Sequence, residues 1–200
     1  MATKKARPND EEKKQGRAGD GGRGGRPVRV LVIRHGVAAD VSEFAKTGSP
    51  DADRPLTKSG RKRMRRGAKG LVALLPELGS IATSPLTRAA ETAEIVAAAY
   101  AKAGEKLDVT RLSALAPGKS VNLLLGWLGD RPRGEVAAVV GHEPHLGLFV
   151  SWALTGLRES FVELKKGAAV LIEFPDEVRA GHARLVWSLR SKHLRAIGAE

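Results

Sequence analysis

Two short apolar runs constrain this chain more than any other feature. Val28–Ile33 is apolar apart from Arg29 and stops at Arg34-His35-Gly36, while Val136–Val140 is apolar throughout and stops at Gly141-His142. Aliphatic, largely β-branched runs of this length suit strands buried on both faces, as in a parallel sheet covered by helices. Ligands of such sheets gather at the strand ends. At the first end a permanent cation stands beside an imidazole, and Gly36 frees the backbone to turn, a combination suited to an anion. The second end delivers another histidine.

Helical patterns alternate with these runs. Arg54-Pro55-Leu56-Thr57 leads into a helix that Thr57 is placed to cap, with Met64, Ala68, Leu71, Val72 and Leu75 on one face. Its other face carries Lys58, Arg61, Lys62, Arg63, Arg65, Arg66 and Lys69. A charge run of this kind is ordinarily a solvated face, and its sharper alternative is a docking surface for an acidic partner. Ser80–Thr83 predicts a second strand. Ser84 then caps, with Pro85 in the first turn, an Ala-rich helix to about Ala103. Arg88 lies one turn in, where it and the positive helix end can face one anion; its alternative is a surface pair with Glu91 or Glu94.

The rest of the chain continues the alternation. Leu107–Leu112 predicts a third strand, Gly118–Leu128 an amphipathic helix, and Pro144 falls in the first turn of the helix after His142. Phe161–Leu164, Ala168–Phe174 and Ala183–Leu189 predict strands, in part antiparallel, before a short helix at Ser191–Ile197. Val37–Arg54, polar and broken by Gly48 and Pro50, reads as a loop. The element order predicts a three-layer α/β/α domain with a mainly parallel sheet over residues 27–200.

Residues 1–26 hold eight Lys/Arg against four Asp/Glu and few apolar residues, so a disordered basic tail is expected there. It contains an Arg-Gly-Gly unit of the sort seen in RNA-binding tails, Arg23-Gly24-Gly25, but a single unit is weak evidence, and a plain solubilising extension is expected. A formal net charge of +12 attracts anions without choosing among them. The absence of cysteine excludes disulfides and thiolate metal sites. No apolar run reaches the length of a membrane span, so a cytoplasmic protein without membrane contact, and a monomer, is expected. His142 and His145 do not form the His-Glu-x-x-His helix pattern, and neither a metal nor another cofactor is expected.

Four stretches, taken together, carry a resemblance. Arg34-His35-Gly36, Arg54-Pro55-Leu56-Thr57-x-x-Gly60, Ser84-Pro85-Leu86-x-Arg88-Ala89-x-x-Thr92-Ala93 and Gly141-His142-x-Pro144-x-Leu146-Gly147 occur in this order. The chain resembles the histidine phosphatase superfamily, with its phosphoglycerate-mutase-like fold, and most of all the short SixA-type phosphohistidine phosphatases. The resemblance covers about residues 28–197. It implies that His35 is the nucleophile, transiently phosphorylated on a ring nitrogen. It further implies that Arg34 and Arg88 clamp the phosphoryl oxygens, that His142 completes the cradle, and that Arg54 binds substrate near the phosphate entrance.

Larger members of the superfamily take a general acid from an insertion that this chain lacks. Asp40 and Glu43 are the carboxylates nearest to His35 in sequence, and both read as loop residues. The implied substrate is a phosphohistidine-bearing protein such as a histidine phosphotransfer domain. The alternatives are a small-molecule phosphomonoesterase of the same superfamily and a non-catalytic phospho-binding module.

Overall fold

Val28–Arg34 forms strand β1, and in the computed structural model, which describes residues 26–199, it lies in the interior of a six-stranded sheet. In chain order there follow α1 (Val41–Ala45), α2 (Lys58–Leu74), β2 (Ser80–Thr83), α3 (Thr87–Lys102), β3 (Val109–Arg111) and α4 (Val121–Gly129). Then come β4 (Val136–Gly141), α5 (His145–Thr155), β5 (Ala169–Phe174), β6 (Arg184–Leu189) and α6 (Ser191–Ile197). The sheet order is β3-β2-β4-β1-β5-β6, and only β5 runs against its neighbours. This is the predicted three-layer α/β/α domain with a mainly parallel sheet.

The period-2 geometry of a strand divides β1 between two cores. Val30 and Val32 face α4 and α5, meeting Leu124, Leu128, Leu146 and Phe149. Leu31 and Ile33 face α2, α3 and α6, meeting Ala68, Leu71, Val96, Tyr100 and Leu194. All of these side chains are buried, and each large one contributes about 1.5–3 kcal/mol by leaving water. Tyr100 keeps its hydroxyl satisfied by donating to the Leu75 carbonyl at 2.6 Å. Because β1 and β4 are parallel neighbours with Arg34 opposite Gly141, His35 and His142 leave the sheet side by side.

Several boundaries differ from the sequence reading, each for a local reason. The predicted loop Val37–Arg54 contains α1, capped by Asp40, whose carboxylate accepts from the Ser42 and Glu43 amides, and a 3-10 turn at Asp51–Asp53. Thr57 caps α2 as expected. α3, however, starts at Thr87, and the Ser84 hydroxyl accepts from the Leu86 amide before the helix begins. α4 starts at Val121 behind a Ser120 cap, because Gly118 adopts a φ of 75° and turns the chain first. Pro144 precedes α5 instead of occupying its first turn, and the third strand is shorter than predicted.

Phe161–Leu164 is not a strand. β6 already pairs with the side of β5 that the segment would need, and it is pinned over α5 by the Ser151 hydroxyl and the Glu143 carboxylate instead. The predicted tail, up to residue 25, lies outside the described residues. Among the described residues no helix is long and apolar enough to cross a membrane.

One glycine of the motif set has a plain steric role. A Cβ at Gly60 would sit 2.1 Å from the Val37 carbonyl oxygen, so only glycine lets α2 start against the β1 exit loop. Gly60→Ala should destabilise the fold by about 1–3 kcal/mol or more, read as a lowered denaturation midpoint in urea.

Candidate active site

Each side chain of the candidate site is delivered by the end of a strand or the start of a helix. His35 follows β1 and is buried; its backbone amide donates to the Gly141 carbonyl at 3.1 Å. Its Nδ1 lies 2.7 Å from the Gly36 carbonyl oxygen. A carbonyl can only accept, so Nδ1 carries the proton and Nε2 keeps the free lone pair. The His142 ring stands 5.0 Å away, centroid to centroid, tilted by 55°, and its Nε2 is 2.9 Å from the Ser84 hydroxyl. The Gly36 amide donates to the Thr92 hydroxyl at 3.0 Å, and that hydroxyl donates to the Arg88 carbonyl at 2.7 Å. Thr92 therefore ties the loop after His35 to the turn of α3 that carries Arg88.

Arg34 and Arg88 lie near the rings, and Arg54 is linked to Arg88 through Asp51. Arg34 donates from Nη1 to the Leu164 carbonyl at 2.5 Å. Arg88, buried, donates from Nη1 to the Asp51 carbonyl at 2.9 Å and pairs through Nη2 with the Asp51 carboxylate at 3.1 Å. Arg54, also buried, pairs through Nε with the other oxygen of that carboxylate at 2.7 Å and donates to the Ala39 carbonyl. Asp51 is thus a bridge between two guanidinium groups, and they hold its carboxyl below the usual range. The Nε atoms of Arg34 and Arg88 are buried without a hydrogen-bond partner.

Burial, helped by the positive charges of Arg88 and Arg34, holds both rings neutral. His35 is lowered to about 4 and His142 to about 3. An unfolded histidine takes up a proton near pH 6.5, whereas these rings resist protonation until far lower pH. Stability contributed by the neutral rings is therefore complete above about pH 6.5 and falls as acid is added, levelling off below about pH 3. For His35 the change corresponds to about 3 kcal/mol. Denaturation midpoints measured from pH 7 to pH 4 should fall, and they should fall less steeply in His35→Ala.

The sequence-predicted residues Arg34, His35, Arg88 and His142 converge: both guanidinium charges act on both rings. Arg54 joins the group through Asp51. The surface-pair alternative for Arg88 does not hold, since Glu91 pairs with Arg61 and accepts from the Leu56 amide. Sequence reasoning missed Asp51, Thr92 and Leu164. Thr92 stood inside one of the four motifs, and Asp51 stood three residues before Arg54, a spacing at which carboxylates and arginines commonly pair. Leu164 acts through its backbone and leaves no signal. Asp40 caps α1 and Glu43 pairs with Lys46, so neither is aimed at the rings. Among the described residues no group of three or more His, Cys, Asp or Glu side chains is arranged to hold a metal ion.

Known proteins resemble this chain in sequence and in fold. Residues 30–115 match the model of the histidine phosphatase superfamily (branch 1). An uncharacterized protein of Picosynechococcus sp. is 37% identical over 163 residues, spanning 79% of this chain and 88% of that protein. The structure of the protein histidine phosphatase SixA complexed with tungstate superposes with a TM-score of 0.69 at 25% identity, covering 83% of this chain and 99% of SixA. A phosphoserine phosphatase mutant of Entamoeba histolytica, in complex with phosphoserine, shares the fold with a TM-score of 0.60 at 18% identity, covering 84% and 99%. The chain belongs to the histidine phosphatase superfamily, whose members are phosphatases and mutases with a catalytic histidine. Within it the chain is SixA-like, on the phosphoglycerate-mutase-like fold.

Proposed function

We propose that this chain hydrolyses phosphohistidine on a cytoplasmic phosphoprotein, such as a histidine phosphotransfer domain, through a phosphohistidine formed on His35. The observation that carries the reading is a neutral His35, anchored through Nδ1, beside a second neutral ring and the guanidinium groups of Arg34 and Arg88. The Nε2 lone pair attacks phosphorus in line as the P–N bond of the substrate breaks and the departing imidazole takes up a proton. Water then attacks phospho-His35, breaking the second P–N bond and releasing orthophosphate. Arg34 and Arg88 hold the equatorial oxygens, His142 stabilises the transferring group, and Arg54 binds substrate at the entrance. The arginines supply the positive charge, so the reading invokes no metal. Tungstate, the ligand of the SixA structure, is a tetrahedral oxyanion of the same shape as phosphate, which supports a pocket of this kind.

The leaving group favours phosphohistidine over an ester. Asp40 and Glu43 are engaged elsewhere, and Asp51 is kept ionised by two arginines, so none of these three is placed as a proton donor. An imidazole leaving group, with a pKa about 6.5, needs less protonation than an alkoxide. The fold shared with a phosphoserine phosphatase favours the second reading, a small-molecule phosphomonoesterase. Initial rates on a histidine-phosphorylated protein, compared with phosphoserine and sugar phosphates, decide between them. The phosphoprotein should be preferred. Preference for the small esters would overturn the reading, and binding without turnover of any donor would make the chain a phospho-sensing module.

A further inference from the structure

α3 is rich in alanine along the side that faces α2, and side chains this small leave the space between the two helices unfilled. The result is a surface groove of about 630 Å³, floored by Val72, Ile95 and Ala98 and rimmed by Arg65, Lys69 and Lys102. Arg61 closes one end by pairing with Glu91, and Glu94 also lines the groove. Glu91 lies three residues after Arg88, and its carboxylate also accepts from the Leu56 amide, two residues past Arg54. The groove therefore runs from the edge of the candidate site to the far end of α3. From Glu91 to Lys102 that is about 16 Å at 1.5 Å per residue, the length of a three-turn helix.

Charge selects the occupant. The exposed side of α2 adds Lys58, Lys62 and Arg66 to the basic rim. A second copy of this chain, at +12, is repelled, and residues 1–26, with twice as many basic as acidic residues, do not complement it either. We propose that the groove docks an acidic amphipathic helix of the phosphoprotein substrate, apolar side chains against Ile95 and Ala98 and carboxylates against Arg65, Lys69 and Lys102. The proposal rests on the phosphoprotein reading above and gives it a binding surface outside the catalytic pocket. One end of the docked helix then lies beside Arg88, where a phosphoryl group it carries can enter.

The test uses the full chain and a fluorescein-labelled helical peptide with leucines along one face and glutamates flanking them, followed by fluorescence anisotropy. Arg65→Glu with Lys69→Glu, and separately Ala98→Arg, should each weaken binding roughly tenfold or more, and replacing the peptide glutamates by glutamine should do the same. All three substituted positions are exposed, so thermal melts should stay at the wild-type value. Hydrolysis of phosphoramidate, which needs no docking, should be unchanged in both variants. No binding by the wild type, or binding that survives Ala98→Arg, overturns the groove. Loss of phosphoramidate turnover in the wild type would instead overturn the catalytic reading, so the two failures are distinguishable.

Discussion

His35→Ala is expected to lose turnover of a phosphohistidine substrate by a factor on the order of 10⁴ or more, as enzymes do when deprived of a nucleophile. The variant keeps Arg34, Arg88 and His142, so it should still bind the phosphorylated substrate. Binding with catalysis removed is the signature that separates a missing nucleophile from a collapsed pocket. Rapid quench with labelled substrate should trap a phosphorylated wild-type chain, acid-labile as a phosphoramidate is, and none in the variant. Wild-type rates in the variant would remove His35 from the mechanism.

Arg88→Ala should lower kcat by roughly 10²–10³-fold, the usual cost of removing a preorganised donor from a transferring group. Arg88→Lys should recover little of this. The guanidinium of Arg88 reaches the Asp51 carbonyl and carboxylate with its two terminal nitrogens at once. An ammonium is a point charge that cannot span those positions. Steady-state kinetics on the phosphoprotein would show the fall mainly in kcat if Arg88 acts in the transition state. A rise in KM alone would recast it as a substrate-binding residue only.

The convergence of these groups was legible in the chain for a specific reason. Both histidines end mainly apolar, largely buried strands that pair in parallel, and apolar runs of that kind are easily read from sequence; once β1 and β4 are neighbours, their ends must meet. Thr57 and Ser120 are caps whose chemistry is local, and Thr57 was read correctly. What escaped were contacts made across the fold. The Asp51 bridge depends on where a 3-10 turn falls relative to α3, and the Leu164 carbonyl holds Arg34 across 130 residues of chain. Phe161–Leu164 has the apolar content of a strand, but whether such a run pairs depends on a free sheet edge, and β6 had taken it. Glu143 accepts from the Leu164 amide at 2.9 Å and so helps fix the segment that orients Arg34.

The placement of β1 between β4 and β5 has a kinetic corollary. Amides of Val30–Ile33 are locked into ladders on both sides, so their hydrogen exchange should proceed only when the whole domain opens. The stretch from α1 to Asp53 lies outside the sheet and is largely exposed, so it should exchange through small local excursions. The proposed nucleophile, His35, thus follows backbone expected to exchange most slowly, whereas Asp51, the counter-ion of Arg88, rides on backbone that can breathe on its own. Substitutions around Asp51 should therefore shift Arg88 while His35 stays where it is.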